Sequence, residues 1–346
     1  MTDFSSCIYS PAIRTRRAEL LGLSKVDRPF EYGVLPVFEL TRSRRTKSNP
    51  EGSVEKSVED VSELVGGAPY VADVTSLRSL TNSDVERLLD PDNCFSNWTS
   101  FVTSKLPENA IPVIHLTDPF DRDSVSAQID VFMPRQGRVA LRIPSEFEDC
   151  EALADVVREV IGSGDNLAVY VDVGLVTERG RGGAIARVRE VASIFSDLSP
   201  GLLAPLATSF PSTVTPYGDE TGSFVLNEVG ISDALKDDFP DLNCIHGDYA
   251  CIHPLDMEGM AINWVPRVDV PLDGSLFYHR HRRHTGGYVR AAEAALADSR
   301  YVALNCWADS NIRAAAAGSP DGKAPAFWIS VRLNFHVERQ LARLGA

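Results

Sequence analysis

The stretch RVALRIPSEFEDCEALADVVREVIGSGDNLAVYVDV, residues 138–173, decides how the rest of the chain is read. It opens on RVALRI (138–143) and closes on LAVYVDV (167–173), two short and nearly continuous apolar runs. Between them EFEDCEALADVVREVIG (146–162) places Leu153, Val156, Val157 and Val160 on one helical face and ends on a glycine. Runs of the first kind suit strands buried on both sides, the habit of parallel sheets. The middle segment has the period and the stop signal of a helix. One strand–helix–strand unit is therefore predicted here.

Worked outward, the same rhythm covers most of the chain. CIYSPAI (7–13), VLPVFEL (34–40), PYVADV (69–74) and IPVIHL (111–116) precede the unit, and LLAPLATSF (202–210) and LNCIHGDY (242–249) follow it. Helical patterns fill the gaps: AELLGL, SVEKSVEDVSELV (53–65), SDVERLL with Asn82 or Ser83 as cap, DSVSAQIDVFM (123–133), GAIARVREVASIF (183–195) and SFVLNEVGISDAL (223–235). Eight such units in roughly 250 residues predict an α/β fold, a TIM-barrel-like (β/α)8 spanning 6–250. A doubly wound sheet is the rival, but no G-x-G-x-x-G follows the first strand. Residues 251–346 break the rhythm. GMAINWVPRVDV, SLFYHRH, YVALNCW and AFWISVRLNF read as strands there, with a helix over GYVRAAEAALADS. This is a C-terminal α+β elaboration packed on the barrel, either integrated with it and supplying its eighth helix or a unit of its own.

The bulk numbers narrow the class of function. Apolar residues make up 44% of the chain and charged residues 24%, values of a soluble globular protein. A formal net charge of −14 opposes general binding to nucleic acid or anionic membranes. The six cysteines, at 7, 94, 150, 244, 251 and 306, form no C-x-x-C pair, and several lie in apolar runs and read as small buried side chains. MTDFSSCIYS lacks the pattern of a signal peptide, and no apolar run approaches the roughly 20 residues of a membrane span. The expected address is the cytoplasm.

In a TIM barrel, chemistry belongs to the carboxyl ends of the strands. Those ends read Arg14, Glu39, Asp73, His115, Arg142, Asp172, Ser209, and His246 with Asp248. Strand ends are commonly polar because they meet water. Glu39, Asp73 and Asp172, however, lie within apolar runs, where an unpaired carboxylate is costly. Two following loops are basic: TRSRRTKSNPEGS carries Arg42, Arg44, Arg45 and Lys47, and TERGRGGA carries Arg179 and Arg181 before a helix start suited to an anion. Flexible solvated loops are the alternative, and the better reading of the first, rich in Ser, Asn and Pro. FYHRHRRHTGGYVR (277–290) interleaves His279, His281 and His284 with arginines that would repel a metal ion. Its better readings are a helix start capped by Thr285 with arginines before it, or a solvated turn. No G-x-S-x-G elbow and no G-x-x-x-x-G-K-[ST] loop is present.

Taken in order, IYSPAIRTRRAEL, VLPVFEL, ALRIP, VYVDVG, HGDYACIHP, NWVPRVDV, FYHRH and FWISVRLNFHV resemble the phage beta-protein family, found in phages and bacteria. The resemblance covers nearly the whole chain and implies a barrel-like fold more than any activity. It gives weight to Arg14, Glu39, Asp73, Arg142, Asp172, Gly247, Asp248, Tyr249, Arg267, Tyr278, Arg280, Arg332 and His336. The family pattern has a lysine near the first strand end, where this chain offers Arg14 or Arg16. A nucleophilic lysine is lost by that change, whereas anion binding survives it.

Two classes of function follow. In the first, Arg14, Arg142, Tyr249, Arg267, Tyr278, Arg280 and Arg332 bind an anionic, nucleotide or phosphate-bearing small molecule at the carboxyl face. Glu39, Asp73, Asp172 and Asp248 then act as general base or hold a divalent cation such as magnesium, and His336 or Tyr249 donates a proton, the reaction being phosphoester hydrolysis. In the second, the protein is a non-catalytic recognition scaffold in phage–host conflict, its partner a phage or host protein, and the charges are ion pairs closing the barrel mouth.

Overall fold

A computed structural model of the chain describes residues 4–256 and 264–346. Its strands are β1 (Tyr9–Arg14), β2 (Val37–Leu40), β3 (Tyr70–Val74), β4 (Ala110–Ile114), β5 (Val139–Pro144), β6 (Leu167–Leu175), β7 (Leu202–Thr208), β8 (Thr221–Val225), β9 (His246–Asp248), β10 (Arg267–Pro271) and β11 (Ser275–Arg280). The eight runs read from the sequence form one parallel sheet in the order β7-β6-β5-β4-β3-β2-β1-β9. It closes on itself, because Leu203 on β7 donates to the Asn243 carbonyl at 3.0 Å and accepts from Ile245 at 2.9 Å, just before β9. The predicted α/β barrel is therefore present.

The helices are α1 (Arg17–Ser24), α2 (Val54–Val65), α3 (Ser83–Leu88), α4 (Asp92–Lys105), α5 (Arg122–Gln136), α6 (Cys150–Ile161), α7 (Arg181–Phe195), α8 (Asn227–Asp238), α9 (Gly287–Ala297), α10 (Trp307–Ala316) and α11 (Pro325–Leu344). Ser53 caps α2 by accepting from the Lys56 amide, and Asn82 caps α3 by accepting from Val85. Along each strand the side chains alternate between two cores. Val139, Leu141 and Ile143 of β5, like Leu167, Val169 and Val171 of β6, pack outward against the helices. Ala12, Val37, Val71, Val113, Ala140 and Tyr170 point inward and fill the barrel.

Several local readings differ from the structure. SFVLNEVGISDAL is not one helix, since Thr221–Val225 form β8, and α8 starts only at Asn227. β8 joins β11 and β10 in a separate three-stranded antiparallel sheet. FWISVRLNF is helical, the middle of α11, and YVALNCW forms no strand. The residues of α11 from Ser330 to Val337 are all buried, and a helix enclosed on every side loses the polar stripe that would mark its period. The opening GMAIN of GMAINWVPRVDV lies partly outside the described residues, and its end is β10. Gly286, not Thr285, caps α9; the Thr285 hydroxyl donates instead to the Arg282 carbonyl at 2.9 Å.

The C-terminal residues serve both layers. Leu333, Val337 and Leu341 of α11 belong to the same outer core as Leu23 of α1, so α11 stands where the eighth barrel helix belongs. Its other face carries Trp328, Val331 and Phe335 into a second core with β10, α9 and α10. Helices α1 and α11 meet tightly at Gly22, where an added Cβ would stand 2.8 Å from the Ser330 carbonyl oxygen and 2.9 Å from Leu333 Cδ2. Gly22→Ala is expected to destabilise the protein by about 1–3 kcal/mol in urea titrations, because the carbonyl cannot move aside. Gly183→Ala, on an open and exposed turn of α7, is expected to be neutral or to stabilise by up to about 1 kcal/mol.

Candidate functional site

The alternation that fills the barrel also decorates its mouth. One step of two beyond Ala12, Val37, Val71, Val113, Ala140 and Tyr170 stand Arg14, Glu39, Asp73, His115, Arg142 and Asp172. The registers Arg14↔Glu39 and Glu39↔Asp73 level the first three. Arg142 is their hub. Its Nη1 donates to Asp73 Oδ2 at 2.7 Å and its Nε to Asp172 Oδ2 at 2.8 Å. Nη2 donates to the Tyr249 hydroxyl at 2.8 Å and lies 2.7 Å from Glu39 Oε1. The Tyr249 hydroxyl in turn donates a hydrogen bond to Asp172 Oδ1 at 2.7 Å. Arg14 adds a bond from Nε to Glu39 Oε2 at 3.2 Å and one from Nη2 to the Pro254 carbonyl at 2.5 Å.

Burial alone would lower the Arg142 pKa, but the phenol and three carboxylates around it raise it well above the usual guanidinium value. Burial would likewise raise Asp73. The His115 ring, 3.5 Å away, and Arg142 overcome that and lower its pKa to about 2. His115 is fixed by stacking on Trp98 of α4, with ring centroids 4.9 Å apart. Above this layer opens a cavity of about 750 Å³. Its walls carry Glu39, Asp73, Asp118, Glu146 and Asp172 against one arginine, Arg142, so the mouth is acidic.

A second cavity of about 570 Å³ lies beside the first, between the barrel face and α11, and shares Leu77 and Leu255 with it. Its charge is opposite: Arg14, Arg16, Arg42, Arg267 and Arg332 face Glu19, Asp256 and Asp269. Asp269 serves two of these arginines. Arg267 Nε is 2.6 Å from its Oδ1, and Arg332 Nη1 donates to its Oδ2 at 2.9 Å. Together they hold its pKa below the usual carboxylate value despite burial. Arg332 is 5% exposed, its guanidinium lies 3.8 Å above the Phe210 ring, and its buried Nε meets no acceptor among the described residues. Burial, and Arg267 after it, push the Arg332 pKa down, as expected for a cation short of counter-charge.

Asp248 and His336 do not join the mouth. Asp248 has the opposite parity from Ile245 and Tyr249, which point into the barrel, and so it faces outward against α8 and α11. There it accepts from Tyr9 Oη at 2.7 Å and from the Ala250 amide at 2.7 Å. His336 Nε2 lies 2.6 Å and His246 Nε2 3.2 Å from the same carboxylate. His336 Nδ1 is 3.1 Å from Cys251 Sγ, and His246 Nδ1 is 2.9 Å from Ser232 Oγ. Burial alone would raise Asp248; the two imidazoles hold it far below the carboxylate range. Nearby Glu228 accepts from Ser209 Oγ at 2.7 Å, and burial and the Asp248 charge raise its pKa to about 7.

Tyr278 and Arg280 line neither cavity at the mouth. The Tyr278 hydroxyl donates to the Val214 and Gly218 carbonyls, and Arg280 reaches Thr215 and Asp219, so both pin the 213–219 turn onto β11. Of the two basic loops, only Arg42 reaches the second cavity; Arg181 lies over Gly230 of α8. His279 pairs with Asp298 at 3.0 Å, while His281 and His284 are not buried. Among the described residues no group of three or more His, Cys, Asp or Glu is placed to hold a metal ion. In the mouth the Arg142 guanidinium itself stands between Asp73 and Asp172. Among the described residues no helix is long and apolar enough to cross a membrane. His115, Glu19, Asp269 and Glu228 belong to these clusters although only His115 stood out in the sequence.

Removing the hub should leave three carboxylates uncompensated. Arg142→Met is expected to cost about 3–5 kcal/mol at pH 7 by urea denaturation. The depressed pKa of Asp73 means its stabilisation is present above its unfolded value, near 3.9, and lost as pH falls through about 2. The deficit of the variant should therefore shrink on acidification. Glu228 has the reverse sign: its raised pKa lets the folded state hold a proton that the unfolded chain has lost, so stability declines from about pH 4.5 to 7. Glu228→Gln should gain on the parent protein between pH 5 and 8 by on the order of 1–3 kcal/mol; equal pH profiles for the two would refute the assignment.

The family model described as Beta protein matches residues 9–342, from the first barrel strand almost to the end of α11. Protein beta of Enterobacteria phage P4 is 31% identical over 345 residues, covering 98% of this chain and 94% of that one. Among solved structures, a GH18 chitinase from Pseudoalteromonas aurantia is 9% identical with a TM-score of 0.38, covering 70% of this chain and 92% of that one. Active domain 2 of a thermostable chitinase from Pyrococcus furiosus is 11% identical with a TM-score of 0.36, covering 70% and 82%. At those values neither structural likeness bears on function. The family match and the relative in phage P4 do settle descent: the chain belongs to the Beta protein family.

Proposed function

We propose that this protein binds an anionic, phosphate-bearing ligand at the carboxyl face of the barrel, in the arginine cleft between barrel and α11. The observation that carries this reading is the pairing of Arg267 and Arg332 on the single carboxylate of Asp269, with Arg332 Nε buried and unmatched. A buried cation short of an acceptor is costly, and a phosphate oxygen would supply one. Arg16 and Arg42 at the same cleft add positive potential in a protein that is acidic elsewhere. Arg142 is unsuited to the anion, since each of its nitrogens already meets a partner and its surroundings are acidic. Hydrolysis of a phosphoester is the catalytic extension of this reading, with Asp73 or Asp172 of the adjoining mouth as base and the cleft holding the phosphate.

A scaffold role is favoured by one specific observation, the mutual pairing of the mouth charges through Arg142, which is how a structural ion network looks. Thermal melting with inorganic phosphate and pyrophosphate separates the two. The expected result is a rise in Tm that Arg16→Ala, an exposed position, weakens several-fold and that Arg332→Gln removes. No rise with either anion overturns the binding reading and leaves the scaffold. Release of phosphate from a generic phosphomonoester, abolished by Asp73→Asn with ligand binding retained, would carry the catalytic extension.

A further inference from the structure

The arginine cleft has a second wall. Besides the cations it is lined by Trp264, Tyr288 and Trp328. Tyr288 and Trp328 stack with ring centroids 4.6 Å apart and planes 10° from parallel, a rigid and largely buried aromatic pair shared by α9 and α11 that borders the cleft. Trp328 and Arg332 are four residues apart on α11, so ring and guanidinium stand one above the other on the face that borders the cleft. A cavity of about 570 Å³ is of the size that small organic ligands occupy. Inorganic phosphate or a sugar phosphate would use only the cationic side. Aromatic rings next to arginines recognise a planar base joined to a phosphate, because any nucleobase offers a π-face.

We infer that the ligand of the cleft is a mononucleotide, its base against the Trp264–Tyr288–Trp328 wall and its phosphate on Arg267 and Arg332. This deepens the reading that the cleft takes a phosphate-bearing anion and rests on it. A nucleic-acid strand is disfavoured. Its further phosphates would run from the cleft toward the acidic mouth, where Glu39, Asp73 and Asp172 repel them.

The test uses the full chain, isothermal titration and tryptophan emission, with AMP, GMP, CMP and UMP set against ribose 5-phosphate. At least one nucleotide should bind roughly 5- to 100-fold more tightly than ribose 5-phosphate and quench the emission. Trp264 is only part-buried, so Trp264→Leu can be made without opening the core; it should erase that preference while ribose 5-phosphate binds as before. Equal affinity for nucleotides and ribose 5-phosphate overturns the nucleotide assignment and leaves the anion cleft standing. A base preference that survives both Trp264→Leu and Tyr288→Leu also overturns it. No binding by any of these compounds removes the assignment together with the reading beneath it.

Discussion

The carboxylate of Asp248 is the interaction on which the rest of the structure leans. β9 is only three residues long, too short to close a barrel by backbone pairing alone. Asp248 draws to one buried point the phenol of Tyr9 on β1, the imidazole of His246 on its own strand and that of His336 on α11. In a low-dielectric site a fully partnered carboxylate of this kind is rigid, and a half-partnered one is costly. The same group accepts the amide of Ala250, which with Cys251 takes up a left-handed backbone and swings the chain out of the strand toward the cleft. Barrel closure, the seating of α11 and the course of residues 249–254 thus share one anchor.

Seating α11 has consequences at the carboxyl face. The helix brings Trp328 and Arg332 from the end of the chain to the face of a barrel whose strands all lie before position 250. The face is thereby divided into an acidic mouth organised by Arg142 and a basic, aromatic cleft organised by Asp269. Neighbouring cavities of opposite charge set up a steep change of potential across this face. Arg14 joins the two, bonded to Glu39 in the mouth while bordering the cleft.

The barrel strands were legible because a strand buried on both faces announces itself locally, as RVALRI and LAVYVDV do. The strand-end rule also found Glu39, Asp73, Arg142 and Asp172, which the structure gathers around one guanidinium. It misplaced Asp248, which shares a strand with inward-facing residues but has the other parity; a count of two from Ile245 would have separated Asp248 from Tyr249. β8 was hidden because TGSFV is only partly buried and its partners come from beyond residue 270. α11 was misread because enclosure on all sides erased its stripe. Glu19, Glu228 and Asp269 gave no signal, being acidic residues in ordinary local settings until packing buried them.

What the sequence determined by itself is the set of barrel strands, their number, the alternation within each and hence the fold class, because these depend on neighbours two to four residues apart. The family descent was legible for the same reason, in short motifs kept in order. Only the tertiary structure decided which charges meet. The distances from Arg142 to Asp73, from His336 to Asp248 and from Arg332 to Asp269 are fixed by strand register and helix docking across 63 to 88 residues of chain. Those are set by packing of the two cores, and no local pattern encodes them.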